Sequence, residues 1–193
     1  MEHLWTPWRY NYVVGGEKQD PRRGVPPELR GWPGDKQCVF CNMLGAVEWA
    51  VAQGMDPLGA DRTANILERG RFCYLVLNAY PYNSGHVMAV PYRHEHSLAA
   101  LDLATADELT RMLRRTETAL REAYKPHALN MGLNLGEAAG AGVVDHLHWH
   151  VVPRWNGDTN YMSVLAETRV LPEMLDQAWT KLREALAAIP QES

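Results

Sequence analysis

Apolar and polar positions along this chain repeat with two different periods, and each change of period marks a new element. The clearest helical stretch covers residues 105–124, where Leu109, Met112, Leu113, Thr116, Ala119, Leu120 and Ala123 recur at three- and four-residue intervals. Thr105 and Glu108 stand in capping-box spacing before it, and Pro126 stops it. Arg111, Arg114, Arg115 and Arg121 are read onto its solvated face. A second helix is predicted over about 172–188, with Pro172 in its first turn and Leu175, Ala178, Trp179, Leu182 and Leu186 on one side. A short helix fits residues 42–53. Gly54 to Asp61 reads as loop because of Asp56-Pro57 and Gly59. Strands are predicted at about 71–78, 85–91 and 129–135. The first two are joined by Ala79 to Gly85, in which Asn83-Ser84-Gly85 suits a turn. Cys73, inside the first strand, reads as a core residue.

The sharpest alternation follows the glycine-rich run Gly136 to Gly142. Three of the chain's eight histidines stand at His146, His148 and His150, separated by Leu147 and Trp149 and followed by Val151 and Val152. Large, aromatic and β-branched neighbours suit a strand, and a strand gathers the three imidazoles on one face with Leu147, Trp149 and Val151 buried on the other. A row of imidazoles serves metal binding or covalent catalysis. A merely solvated strand face explains one histidine well and three at period two poorly.

Residues 1–37 show neither period. They are rich in Pro, Gly and Trp, and the tryptophans predict an arm that packs over a core edge or a dimer interface. Cys38-Val39-Phe40-Cys41 follows. Such a pair is a redox dithiol or half of a zinc site. The Gly/Pro coil upstream argues against a thioredoxin-like unit, and His94, His96 and His146 are the candidate further ligands.

With 193 residues, 46% hydrophobic and 22% charged, the chain is long enough for one domain with a substantial core. A net charge of −4 argues against a general nucleic-acid partner, so an anionic substrate needs local donors. No apolar run approaches a membrane span, the start of the chain lacks a secretory pattern, and three cysteines make no disulfide framework. These features predict a soluble cytoplasmic protein with no membrane partner.

His146-Leu147-His148-Trp149-His150-Val151-Val152 resembles the signature of the histidine triad (HIT) superfamily, nucleotidyl hydrolases and transferases acting on nucleoside phosphates. Trp5-Thr6-Pro7-Trp8-Arg9 and Pro153-Arg154-Trp155-Asn156-Gly157-Asp158 resemble its bacterial diadenosine tetraphosphate phosphorylase-like members, alongside Fhit-like ones. The resemblance implies an α+β HIT-like fold: an antiparallel sheet of about five strands with packed helices, paired as a homodimer or higher homo-oligomer. It implies a single HIT domain over residues 1–193, made of the arm (1–37), a core (38–158) and a C-terminal extension with a helix (159–193).

The same resemblance implies that His148 attacks the α-phosphorus and carries the nucleotidyl group. His150 lies near the leaving group, and His146 and His86 complete the active-site histidines. Asn78 then holds the ribose, Asn134 contacts the nucleotide, Gly140 and Gly142 lie near phosphate, and Arg154 either contacts phosphate or lies on the rim. A structural Zn2+ on Cys38, Cys41, His94 and His146 is implied as well, with His96 in reserve. One departure stands out. Relatives often carry Gln, Ser or Thr three or four residues before the first triad histidine, where this chain has Gly142 and Val143. The function so implied is cleavage of diadenosine polyphosphates, with AMP held covalently and phosphate as acceptor. Hydrolysis of dinucleoside polyphosphates or nucleoside phosphoramidates, nucleotide binding without turnover, and a zinc-stabilised interaction module are the alternatives.

Overall fold

Two strands of the sheet, Cys73–Leu77 and Val87–Pro91, are apolar and buried along their whole length, and helices form where their faces need cover. A computed structural model describes residues 22–158 and 173–190. The Trp5–Arg9 segment and Pro172 lie outside the described residues. Five strands make one antiparallel sheet: β1 (Ile66–Arg69), β2 (Cys73–Leu77), β3 (Val87–Pro91), β4 (Ala128–Leu133) and β5 (Trp149–Arg154), in the order β1-β2-β3-β5-β4. Four helices pack on it: α1 (Val39–Ala52), α2 (Pro57–Thr63), α3 (Leu103–Tyr124) and α4 (Leu175–Ala188). The α+β architecture expected from the sequence is the one observed.

The two sheet faces carry separate cores. Tyr74, Val76, Met88 and Val90 point to a cluster with Phe40, Met43 and Val47 of α1 and Ala60 of α2. Cys73, Leu75, Leu77, Val87, Ala89 and Val151 point the other way, to Leu109, Met112 and Leu120 of α3 and Trp179, Leu182 and Leu186 of α4. Period two on the strands and helical spacing on α3 and α4 therefore meet in this second core, with Cys73 buried as expected.

Several local expectations need correction. Residues 57–63 are a helix and not loop: Asp56 accepts the Gly59 N–H at 2.8 Å and Pro57 occupies the first turn, an N-cap pattern. No alternation in the sequence predicts β1, which is four residues long and pairs with β2 through an irregular register. The N-cap of α3 is Asp102, which accepts from Thr105 N–H at 2.9 Å. Glu108 does not close a capping box. Its carboxylate takes the backbone N–H groups of Arg71, Phe72 and Cys73 at 2.9, 2.5 and 2.7 Å, tying α3 to the start of β2. Arg115 is not solvated either: it pairs with Glu68 at 2.9 Å and donates to carbonyls at the end of α4. Helix α4 begins at Leu175 with Met174 as N-cap.

The triad strand is also shorter than the alternation predicts. Only His150 lies within β5, opposite Met88 of β3 and Gly132 of β4. His146 and His148 precede the ladder. Pro91 has no N–H to extend pairing, and its carbonyl receives the His146 ring at 2.9 Å instead of a backbone donor. The segment still runs extended enough to bury Leu147 and Val151.

Candidate functional site

Four donor groups converge where helix α1 begins. Cys38 is its N-cap and Cys41 lies in its first turn, while His94 follows β3 and His146 precedes β5. Their ligand atoms all lie within 4.8 Å of one another. His146 Nδ1 stands 3.3 Å from Cys38 Sγ and 3.6 Å from Cys41 Sγ, and His94 Nδ1 is 3.4 Å from Cys41 Sγ. Because the Pro91 carbonyl can only accept, His146 carries its proton on Nε2 and presents the Nδ1 lone pair to the thiols. A backbone carbonyl fixing the far ring nitrogen is the usual outer support of a metal-ligating histidine.

This cluster could hold a metal ion, and its surroundings fit one. Burial, then the neighbouring Cys38, pushes the Cys41 thiol up to about 11, and burial holds His146 neutral with a pKa lowered to about 4. A divalent cation would supply the charge that lets both thiols ionise. The Tyr74 hydroxyl is buried in the same core as Cys38 and has no hydrogen-bond partner among the described residues. A thiolate of a filled site would give it an acceptor. His96, the reserve ligand, is instead beside Glu95, 3.2 Å from its carboxylate.

The next two histidines face different work. His148 is buried at 6% exposure, with its Nδ1 2.8 Å from the His146 carbonyl. That bond places the proton on Nδ1 and the lone pair on Nε2. Desolvation lowers the pKa of His148, partly offset by the bond to His146, so the ring is neutral near pH 7. Phe40 packs against it, ring centroids 5.1 Å apart. His86, fully buried, accepts the Tyr82 N–H on Nδ1 at 3.1 Å. Its Nε2–H therefore donates to His150 Nδ1 at 2.9 Å, which leaves neutral His150 with its own proton on Nε2. The rings of His148 and His150 lie 4.8 Å apart. The arrangement thus offers a lone pair on one imidazole and an N–H on the next.

Both rings line a cavity of about 370 Å³. Asn78, Asn134, Gly140 and Gly142 also line it. The Asn78 side chain accepts the Tyr80 N–H at 2.9 Å, so it closes a turn as well as facing the cavity. Within the glycine-rich run the N–H groups of Gly140 and Ala141 are spent on Glu137 and Gly136 carbonyls. Those of Gly142 and Val143 have no partner among the described residues, and both residues line the cavity, where N–H groups suit an anion. Arg154 is placed elsewhere. It forms a bidentate pair with Asp158 at 2.7 and 2.8 Å, donates to Asn130, and does not line the cavity. His86 and His146 reach the cavity only through His150 and His148.

Residues that sequence reasoning passed over also line it. Asn65 sits in the left-handed region with φ 58, a conformation asparagine tolerates. Arg22, Arg23 and Arg30 reach it from the arm. The two arginines beside Pro21 and the proline pair carried no periodic signal, and only their charge could have flagged them.

Comparison with known proteins agrees with this geometry. The HIT domain matches residues 61–157. An AP-4-A phosphorylase from Mycobacterium tuberculosis is 34% identical over 176 residues, covering 91% of this chain and 79% of that protein. A bis(5'-adenosyl)-triphosphatase from Saccharomyces cerevisiae is 28% identical over 94 residues, 48% of this chain and 45% of that one. Among solved structures, a Zn-bound histidine triad family protein from Mycobacterium smegmatis superposes with a TM-score of 0.56 at 28% identity, covering 78% of this chain and 93% of that one. With its triad, its sheet and these relatives in agreement, the chain belongs to the HIT family.

Proposed function

We propose that this protein is a nucleotidyl transferase that cleaves dinucleoside polyphosphates through a nucleotidyl-histidine intermediate, as a diadenosine tetraphosphate phosphorylase. The observation that carries the reading is the His148 tautomer: a neutral ring, proton fixed on Nδ1 by the His146 carbonyl, lone pair on Nε2, at the wall of a nucleotide-sized cavity. In the first step Nε2 bonds to the α-phosphorus and the bond to the bridging oxygen breaks. ATP leaves, protonated from His150 Nε2–H, whose other nitrogen is held by His86. In the second step phosphate attacks the same phosphorus, the P–N bond breaks and ADP departs. Asn78 and Asn134 hold the nucleoside, and the N–H groups of Gly142 and Val143 take the place of the polar side chain that relatives carry there. The likeness to the mycobacterial phosphorylase supports phosphate as acceptor. The likeness to the yeast triphosphatase supports water as the second reading.

The Cys38, Cys41, His94 and His146 cluster is read as a structural zinc site, supported by its donor set and by the Zn-bound mycobacterial neighbour. Zinc there joins α1 to both strands of the active site and contributes no chemistry to the transfer. Pairing of two copies along β4 is the reading of its far-edge position and of Met131, exposed on it at 40%. Among the described residues no helix is long and apolar enough to cross a membrane. The assay is diadenosine tetraphosphate with a phosphate titration and product identification. ADP plus ATP, rising with phosphate, is expected. AMP plus ATP at a rate indifferent to phosphate replaces the phosphorylase with a hydrolase, and no products at all overturns both.

A further inference from the structure

The cavity has a charge pattern that the triad does not explain. Although the chain carries a net charge of −4, among the described residues no carboxylate lines the cavity, and the Lys/Arg side chains that do are Arg22, Arg23 and Arg30. All three come from one short stretch of the arm. Arg154, the one arginine that the sequence suggests for phosphate, is held by Asp158.

That stretch is built into place. Arg22 donates through Nη1 to the carbonyls of Arg30 and Trp32 at 3.1 and 3.2 Å, closing the stretch on itself. Asn42 of α1, fully buried, donates to the Arg23 carbonyl at 3.0 Å and accepts the Lys36 N–H at 2.6 Å. Gly24 has φ +89, and a Cβ there would meet the Val39 carbonyl oxygen at 2.0 Å, so only glycine lets the arm lie this close to the start of α1. Leu29 and Trp32 are buried in the core that α1 shares. The Arg23 and Arg30 guanidinium groups, by contrast, have no hydrogen bond or ion pair among the described residues. An anchored backbone thus presents two cations, unpaired among the described residues, to a cavity that no described acid lines.

We propose that Arg23 and Arg30 bind the phosphates beyond the scissile α-phosphate and so select substrates with a long phosphate chain. The inference rests on the nucleotidyl-transfer reading and deepens it. The α-phosphate meets His148, His150 and the loop N–H groups, none of which is a permanent cation. A polyphosphate tail carries several negative charges, and guanidinium forks pair with phosphate oxygens bidentately. The departure at Gly142 and Val143, where relatives place a polar side chain, shifts more of the phosphate recognition to these two residues.

The test compares AMP with α,β-methylene ATP, which has the same nucleoside and two further phosphates but cannot be cleaved at the α,β bridge. Binding is measured by calorimetry for wild type, Arg23→Ala, Arg30→Ala and the double variant. Wild type is expected to prefer the triphosphate. The double variant is expected to lose on the order of 10–100-fold on the triphosphate, as for loss of charged hydrogen bonds, and less than about threefold on AMP. Arg23→Lys should recover only part of the loss, because ammonium cannot fork. Equal losses on both ligands place the arginines on the base or the fold and overturn the proposal, as does an unchanged preference. The anchoring bonds use the Arg23 and Arg30 carbonyls, so unfolding is not expected, and the AMP affinity checks it. Turnover of diadenosine tetraphosphate, run in parallel, separates the two ideas. Wild-type turnover with an unaffected double variant sinks only the arginine assignment. Arginine-dependent binding with no wild-type turnover sinks only the enzyme.

Discussion

The two faces of this sheet are built from alternate residues of the same strands, yet they hold different things. On the α3/α4 face the core is a closed set of aliphatic and aromatic side chains, among them Leu75, Leu77, Leu120, Leu182 and Trp179. On the α1 face the strands bury Tyr74, Met88 and Val90 beside Cys38 and Phe40, and His146 and His148 pack on the same Phe40 ring. Here α1, the seven-residue α2 and residues 22–37 of the arm give partial cover, and a cavity remains. Buried polar groups are tolerated on that face because each histidine ring is tied to a carbonyl or to another ring. One face supplies stability, and the other spends some of it on chemistry.

His148→Ala should break the second face alone, and it has the largest expected effect. Removing a covalent nucleophile typically costs 10⁴-fold or more in turnover, about 5 kcal/mol of barrier. The melting temperature should stay within a few degrees of wild type, since the cavity already borders this ring. Near-normal turnover, or a nucleotidyl group trapped on a different residue, ends the covalent mechanism.

Metal removal should come next. A ligand present at a thousand times its Kd stabilises a fold by about 4 kcal/mol. Protein purified without chelator should contain one zinc per chain, and Cys38→Ser should contain none and melt lower. A metal-free wild type of unchanged stability would leave the cluster as four idle donors. The same experiment sharpens the contrast, because Leu120→Ala should leave zinc bound.

On the other face, Leu120→Ala removes a fully buried side chain from between α3 and the sheet. A loss of about 3 kcal/mol is expected in denaturant unfolding, with turnover per folded molecule retained. Lost turnover at temperatures where the variant is still folded would show that the faces are not separable.

How far the chain could be read follows the same division. The α3/α4 core was legible because it is all periodicity: Leu109, Met112, Leu120, Trp179 and Leu182 point one way at helical spacing. The chemical face was legible only where chemistry concentrates in a motif, at His146, His148 and His150 and at Cys38 and Cys41. What escaped were choices among hydrogen-bond partners. Asp56-Pro57 opens a helix or a loop equally well until α2 has a core to cover. Glu108 suits a capping box until three strand N–H groups compete for it. Ile66–Arg69 is too short to show an alternation. Arg154 reads as a phosphate contact or a rim residue until Asp158, four residues later, takes its guanidinium. Arg23 and Arg30 could not be placed, since a Pro/Gly-rich arm reveals neither its path nor its anchor at Asn42.

The smallest effect tests the tie between the 78–86 connection and the end of β5. Asp158 accepts from Arg154 at 2.7 and 2.8 Å, from the Trp155 N–H at 3.1 Å and from Asn83 at 2.9 Å, and Asn83 also donates to the Pro153 carbonyl. These bonds fasten the 78–86 connection, which carries Tyr82 and His86, to the end of β5. The Arg154 guanidinium, followed by the Trp155 N–H and Asn83, holds the Asp158 carboxyl well below the usual carboxylate range. A depressed folded pKa gives stability that is fully present above the unfolded value near 4 and lost as pH falls below it. Asp158→Asn should lower the melting temperature at pH 7 by about 2–4 °C, the shift that ~1 kcal/mol produces at this chain length. It should also flatten the fall in stability between about pH 5 and pH 3 relative to wild type. Because the tie positions the Tyr82 N–H that sets the His86 tautomer, turnover should fall by a few-fold while zinc content stays at one. An equally steep acid transition in the variant would show that Asp158 is not ionised against Arg154 in the folded protein.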